Sequence, residues 1–130
     1  QIAKKELDKN YTFINSLTNL MLDKLSKGFD GIILNGSKEF RIPGNLNISF
    51  PNLRQEPLVQ RIKKVAVSSG SACTTSNPEP SHVLRALGIS KSLINSTIRI
   101  GIGKFNTLNE IEGAADYILG VVNKLKIHKR

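Results

Sequence analysis

The 130-residue chain has the length of one ordinary domain, and its 39% apolar content suits an aliphatic core, since Trp is absent and aromatics make up 5%. One cysteine excludes an intrachain disulfide framework and suits a reducing compartment; no apolar run approaches a membrane span and no signal-peptide pattern opens the chain. A formal net charge of +9 raises a basic nucleic-acid-binding domain as an alternative. The basic residues are scattered, however, clustering only at the two ends and at Arg61, Lys63 and Lys64, with no aromatics interleaved for base stacking.

In chain order, Leu7, Ile14, Leu17, Met21 and Leu25 recur at helical steps and predict a long amphipathic helix from about Ile2 to Lys27. Gly28 is the expected residue of positive φ just past its end. Gln1 already lies inside this helical pattern, which leads us to expect a longer polypeptide. Gly31-Ile32-Ile33-Leu34 is a short apolar strand ending in the turn dipeptide Asn35-Gly36, and Arg41-Ile42-Pro43-Gly44 is a second turn. Asn45 to Phe50 alternates polar and apolar residues, the period of a half-buried strand that Pro51 closes.

A short helix is predicted over Gln55 to Lys64, then a strand at Val65-Ala66-Val67. Pro80 and Gly88 bracket another helix, with Pro in the first turn and Gly past the end. Ser96 to Gly103 alternates as a strand. Thr107 and Glu110 form a capping box opening a last helix, whose apolar face carries Ile111, Ala114, Ala115, Ile118, Val122 and Leu125. These elements predict a single two-layer α+β domain over residues 1–130, a small antiparallel or mixed sheet covered by helices.

Between the strand at 65–67 and the following helix runs Ser68-Ser69-Gly70-Ser71-Ala72-Cys73-Thr74-Thr75-Ser76-Asn77-Pro78. Such a composition cannot bury a face, so it predicts a surface loop. Free cysteine is ordinarily a small buried hydrophobe, but Cys73 stands among small polar residues away from every apolar stripe. Loops held by a rigid scaffold are where chemistry tends to sit. Cys73 is therefore the leading candidate for a chemical role.

The segments Ala66-Val67-Ser68-Ser69-Gly70-Ser71-Ala72-Cys73-Thr74, Glu79 to Gly88 and Ser96-Thr97-Ile98-Arg99-Ile100-Gly101-Ile102-Gly103-Lys104-Phe105-Asn106-Thr107 resemble the C-terminal small domain of NifS/IscS-type cysteine desulfurases, as does Asn45 to Phe50. The resemblance covers nearly the whole chain and is most specific around the cysteine. It implies the C-terminal domain of a fold-type-I pyridoxal 5′-phosphate enzyme that takes sulfur from L-cysteine and releases alanine. By it, Cys73 is the nucleophile that becomes a persulfide, and Ser68, Ser69, Gly70, Ser71 and Ala72 belong to a mobile loop that carries it. The thiolate is the attacking form. Arg99 is the residue expected to hold the substrate carboxylate, because a guanidinium can pair both oxygens at once. His82 reads as a packing or helix-face residue, and His128, in a basic tail, is assigned nothing.

The same resemblance implies a homodimer in the complete enzyme, an iron–sulfur scaffold or other sulfur acceptor, and a bacterial cytoplasm or mitochondrial matrix; the lack of an apolar span argues against a membrane partner, and the scattered basic residues make nucleic acid an unfavoured one. No lysine lies in the family's Ser-x-His-Lys motif that holds the cofactor, so that function is expected of a large domain outside this chain, and the chain alone is expected to be inactive. The ending Lys124-Leu125-Lys126-Ile127-His128-Lys129-Arg130 departs from the family's usual tail. A free-standing sulfur carrier, relying on another protein for the cofactor, is the alternative reading.

Overall fold

A computed structural model describes residues 2–69 and 82–128. Along the chain run α1 (Ile2–Gly28), β1 (Ile33–Leu34), β2 (Asn45–Ser49), α2 (Leu58–Arg61), α3 (His82–Ala86), α4 (Lys91–Ile94), β3 (Thr97–Gly101) and α5 (Leu108–Leu125). The three strands form one antiparallel sheet in the order β1-β2-β3, so of the two expected sheet types the antiparallel one is present.

Register decides what each face of this sheet carries. Leu46 stands opposite Ile100 and Ile48 opposite Ile98, and all are buried. Their face packs against the long helices α1 and α5, which also contact each other. Leu17, Met21 and Leu25 from α1 meet Ile111, Ala115, Ile118 and Val122 from α5 in this core. Truncating one such buried Leu or Ile to Ala typically costs about 2–5 kcal/mol. Because side chains alternate along a strand, the opposite face carries Asn45, Asn47 and Ser49 from β2 and Thr97 and Arg99 from β3. Leu84 of α3 is buried yet lies outside the main core cluster.

The last helix starts where side chains supply its cap, whereas α2 and α4 begin without a side-chain cap bond. In α5 the Thr107 Oγ1 accepts from the Glu110 N–H at 3.2 Å, and the Glu110 carboxylate accepts from the Thr107 N–H at 2.9 Å. Those bonds satisfy donors that the first helical turn leaves unpaired. Gly88 follows α3 with φ +71, as expected past a helix end.

Several expectations fail locally. Leu7 belongs to the apolar stripe of α1 by spacing but is 63% exposed, because α1 extends beyond the sheet it covers. Gly28 does not take positive φ; it is the last residue of α1, and an added Cβ would press on the side chain of Leu119. Close approach of α5 is what requires glycine there. Val65 to Val67 form no strand, the helix expected over 55–64 shrinks to one turn, and α4 has too short a pattern to be read. Among the described residues no helix is long and apolar enough to cross a membrane.

Candidate functional site

The outer edge of β3 organises the polar face. Arg99 donates its backbone N–H to the Ser68 carbonyl at 2.7 Å and accepts from the Ser68 N–H at 3.0 Å. Its Nε donates to Ser68 Oγ at 3.1 Å. Three bonds therefore clamp Ser68, from which the chain leads on to Cys73, to the strand bearing the predicted carboxylate ligand. Ser68 and Ser69 lie within the described structure; Gly70, Ser71, Ala72 and Cys73 lie outside the described residues. His82 on α3 and His128 beyond α5 are exposed.

Arg99 borders a cavity of about 390 Å³ with Asn35, Arg41, Asn47 and the apolar rim residues Phe40, Ile42, Val83 and Leu87. Arg41 is the second guanidinium of this cavity. Its Nε donates to the Ser37 carbonyl at 3.1 Å, its Nη1 to the Asn45 carbonyl at 3.0 Å and its Nη2 to the Asn35 carbonyl at 2.5 Å. These bonds tie the turn after β1 to the start of β2. Burial lowers the Arg41 pKa from its ordinary value, yet an arginine stays protonated in proteins. Neither Arg41 nor Arg99 has a carboxylate partner among the described residues. Among the described residues the cavity is thus a positively charged recess lined by no carboxylate, with Arg99 exposed at its margin.

Beneath it runs a chain of buried polar groups with a definite direction. Thr97 Oγ1 donates to the Leu93 carbonyl at 2.6 Å. A hydroxyl has one hydrogen, so in the 2.6 Å contact between Ser49 Oγ and Thr97 Oγ1 the Ser49 hydroxyl is the donor. Ser49 Oγ can then only accept, and Asn35 Nδ2 donates to it at 2.8 Å. The same Nδ2 donates to Asn47 Oδ1 at 3.0 Å. Ser49 and Thr97 are 0% and 1% exposed, so an orphaned group here has no water to turn to.

Sequence reasoning singled out Arg99 and the cysteine loop, and missed Arg41, Asn35 and Asn47. Asn35 read only as half of a turn dipeptide. Asn47 shares its parity with Asn45 and Ser49 on the polar side of β2, which was visible, but its position opposite Arg99 depends on strand register.

Residues 2–113 match the family model described as Aminotransferase class-V. The chain belongs to the class-V aminotransferase family. Among curated relatives, this class-V aminotransferase chain is 42% identical over 126 residues to the mitochondrial cysteine desulfurase of Arabidopsis thaliana, covering 97% of this chain and 28% of that protein. It is 44% identical over 126 residues to the cysteine desulfurase IscS of Ehrlichia chaffeensis, covering 97% of this chain and 31% of that one. Among solved structures, a NifS-like protein superposes with a TM-score of 0.76 at 25% identity, covering 95% of this chain and 31% of the other. A NifS-like protein from Rickettsia africae gives 0.75 at 24% identity, over 94% of this chain and 31% of that one. The class-V chain therefore spans about three-tenths of the length of these relatives.

Proposed function

We propose that residues 1–130 form the C-terminal small domain of a pyridoxal-phosphate-dependent cysteine desulfurase, in which Cys73 receives sulfur from L-cysteine as a persulfide and Arg99 binds the substrate carboxylate. The observation that carries this reading is the Ser68–Arg99 clamp. It ties the chain leading to the lone thiol to the edge of a cationic recess that no carboxylate among the described residues neutralises. Cys73 lies five positions beyond Ser68, a length that reaches at most about 18 Å when fully extended. The relatives named cysteine desulfurase support the same activity.

The recess by itself does not fit the cofactor, because no lysine lines it to hold the aldehyde. Binding of pyridoxal phosphate is accordingly assigned to a large domain outside this chain, and residues 1–130 alone are expected to be inactive. What this domain contributes is substrate anchoring and a sulfur-accepting thiol. In the net reaction a carbon–sulfur bond of L-cysteine breaks and a sulfur–sulfur bond to Cys73 forms. Alanine leaves, and the persulfide carries the sulfur to an iron–sulfur scaffold or another acceptor. A homodimer, in the bacterial cytoplasm or the mitochondrial matrix, completes the proposal.

The test uses the complete polypeptide carrying this chain, loaded with pyridoxal phosphate. On adding L-cysteine, alanine and a Cys73 persulfide trapped by alkylation should form in equal amounts, and Cys73→Ser should lose the persulfide. Sulfur appearing on another residue, or equal turnover by Cys73→Ser, would remove Cys73 from the reaction. Cofactor-dependent turnover supplied only by a separate protein would establish the free-standing carrier instead.

A further inference from the structure

We infer that Asn47 is a second donor of the carboxylate site, its amide turned toward the ligand side of the cavity by the buried hydroxyl chain. This rests on the reading of Arg99 as the carboxylate anchor. Asn47 stands directly opposite Arg99 in the β2–β3 register, and both border the same cavity. Arg99 spends its backbone N–H and C=O on Ser68, away from β2. The Asn47–Arg99 pair is therefore of the kind without mutual backbone bonds, in which opposed side chains stand closest, with Cα atoms about 4.5 Å apart.

Which end of the Asn47 amide is free follows from the direction of the buried chain. The Leu93 carbonyl can only accept, which makes Thr97 a donor, Ser49 a donor to Thr97, and Asn35 a donor through Nδ2. The other hydrogen of that Nδ2 goes to Asn47 Oδ1. Asn47 thus spends its acceptor on Asn35, and its Nδ2 keeps two N–H donors with no partner among the described residues. Arg41 holds Asn35 from the backbone side through the Asn35 carbonyl. Asn35 and Arg41 are positioning residues; Asn47 is the one expected to touch ligand. A guanidinium and an amide presenting only N–H groups side by side suit an α-carboxylate. They offer nothing to a carboxamide's own N–H groups or to an amine lacking the acid, so the pair selects for a free acid.

The experiment uses the complete, cofactor-loaded protein with Arg99→Lys as benchmark and Asn47→Ala and Asn47→Asp as tests. The readouts are KM and kcat for L-cysteine, the Kd of L-alanine by calorimetry, and the binding of cysteamine, which lacks the carboxylate. A hydrogen bond to a charged group supports a loss of about tenfold or more in L-alanine affinity and in KM for Asn47→Ala. Asn47→Asp should lose more than Asn47→Ala, since it places a carboxylate against the ligand's own and pairs with Arg99. In both, cysteamine affinity should stay near the parent value. If Arg99→Lys weakens binding while both Asn47 variants bind L-alanine like the parent, the inference falls and the reading of Arg99 stands. If Arg99→Lys leaves L-alanine and L-cysteine unaffected, the carboxylate reading itself fails. Equal loss for cysteamine and L-alanine in the Asn47 variants would show a purely structural role and overturn the inference. Should Asn47→Asp not fold, Asn47→Ala decides alone.

Discussion

The direction of the buried hydroxyl chain makes a sharp energetic prediction through Thr97→Val. Valine matches the threonine in shape, so the substitution opens no cavity and removes only the hydroxyl. The Leu93 carbonyl loses one donor but keeps two, from the Ser96 N–H and Ser96 Oγ, both at 3.1 Å. Ser49 is affected differently: its hydroxyl hydrogen loses its acceptor at a fully buried position. An orphaned buried donor costs about 1–3 kcal/mol. For a domain of this size that corresponds to a melting point lower by roughly 3–5 °C per kcal/mol. In a Ser49→Ala background the donor no longer exists, so adding Thr97→Val should cost less than about 0.5 kcal/mol. Urea unfolding of the parent, both single variants and the double variant yields the coupling energy. A coupling of about 1–3 kcal/mol is expected. Additive single-variant costs, with the double variant as weak as their sum, would refute the assigned direction of the chain and with it the orientation of the Asn47 amide.

Other outcomes follow from local geometry. Gly44 has φ +86, and an added Cβ would meet the Ile102 carbonyl oxygen. Gly44→Ala should therefore cost about 2–4 kcal/mol, whereas Gly88→Ala, at φ +71 with open space around it, should cost only about 1 kcal/mol in the same unfolding assay. The Glu110 pKa is lowered from 4.5, chiefly by its bond from the Thr107 backbone N–H and then by Asn106. A depressed carboxyl pKa contributes stability above its unfolded value and loses it as pH falls through the folded one. Stability of the parent should thus decline more steeply below about pH 4.5 than that of Glu110→Gln, as read from melting points across an acid pH series. Parallel declines would show that the capping carboxylate carries no pH dependence.

Much of the architecture was legible because it is written in local period and local chemistry. The spacing of Ile111, Ala115, Ile118 and Val122 describes one helix face whatever packs on it, and all four are buried. Thr107 and Glu110 are three residues apart, so their reciprocal bonds need nothing beyond the helix they open. Alternation in 45–50 and 96–103 marked two strands for the same reason. Beyond Ser69 the loop read around Cys73 from its composition lies outside the described residues, while Arg99, singled out by the motifs, stands on β3.

What only the tertiary structure decided are the relations between segments distant along the chain. Gly28 looked like a helix terminator, but its need for a missing Cβ comes from Leu119 on α5, ninety-one positions away. Leu7 kept the period of the core stripe while lying beyond the sheet, since period does not tell how far the partner surface extends. Val65 to Val67 carried strand composition but found no partner strand, and only Ser68 bridges to β3. The recess shows this most clearly. Asn35, Arg41, Asn47 and Arg99 come from three stretches of sequence with no shared pattern. A one-residue slip between β2 and β3 would turn Asn47 to the opposite face from Arg99. Register is set by burying Leu46, Ile48, Ile98 and Ile100 together against α1 and α5, and the polar site on the other face is positioned by that burial.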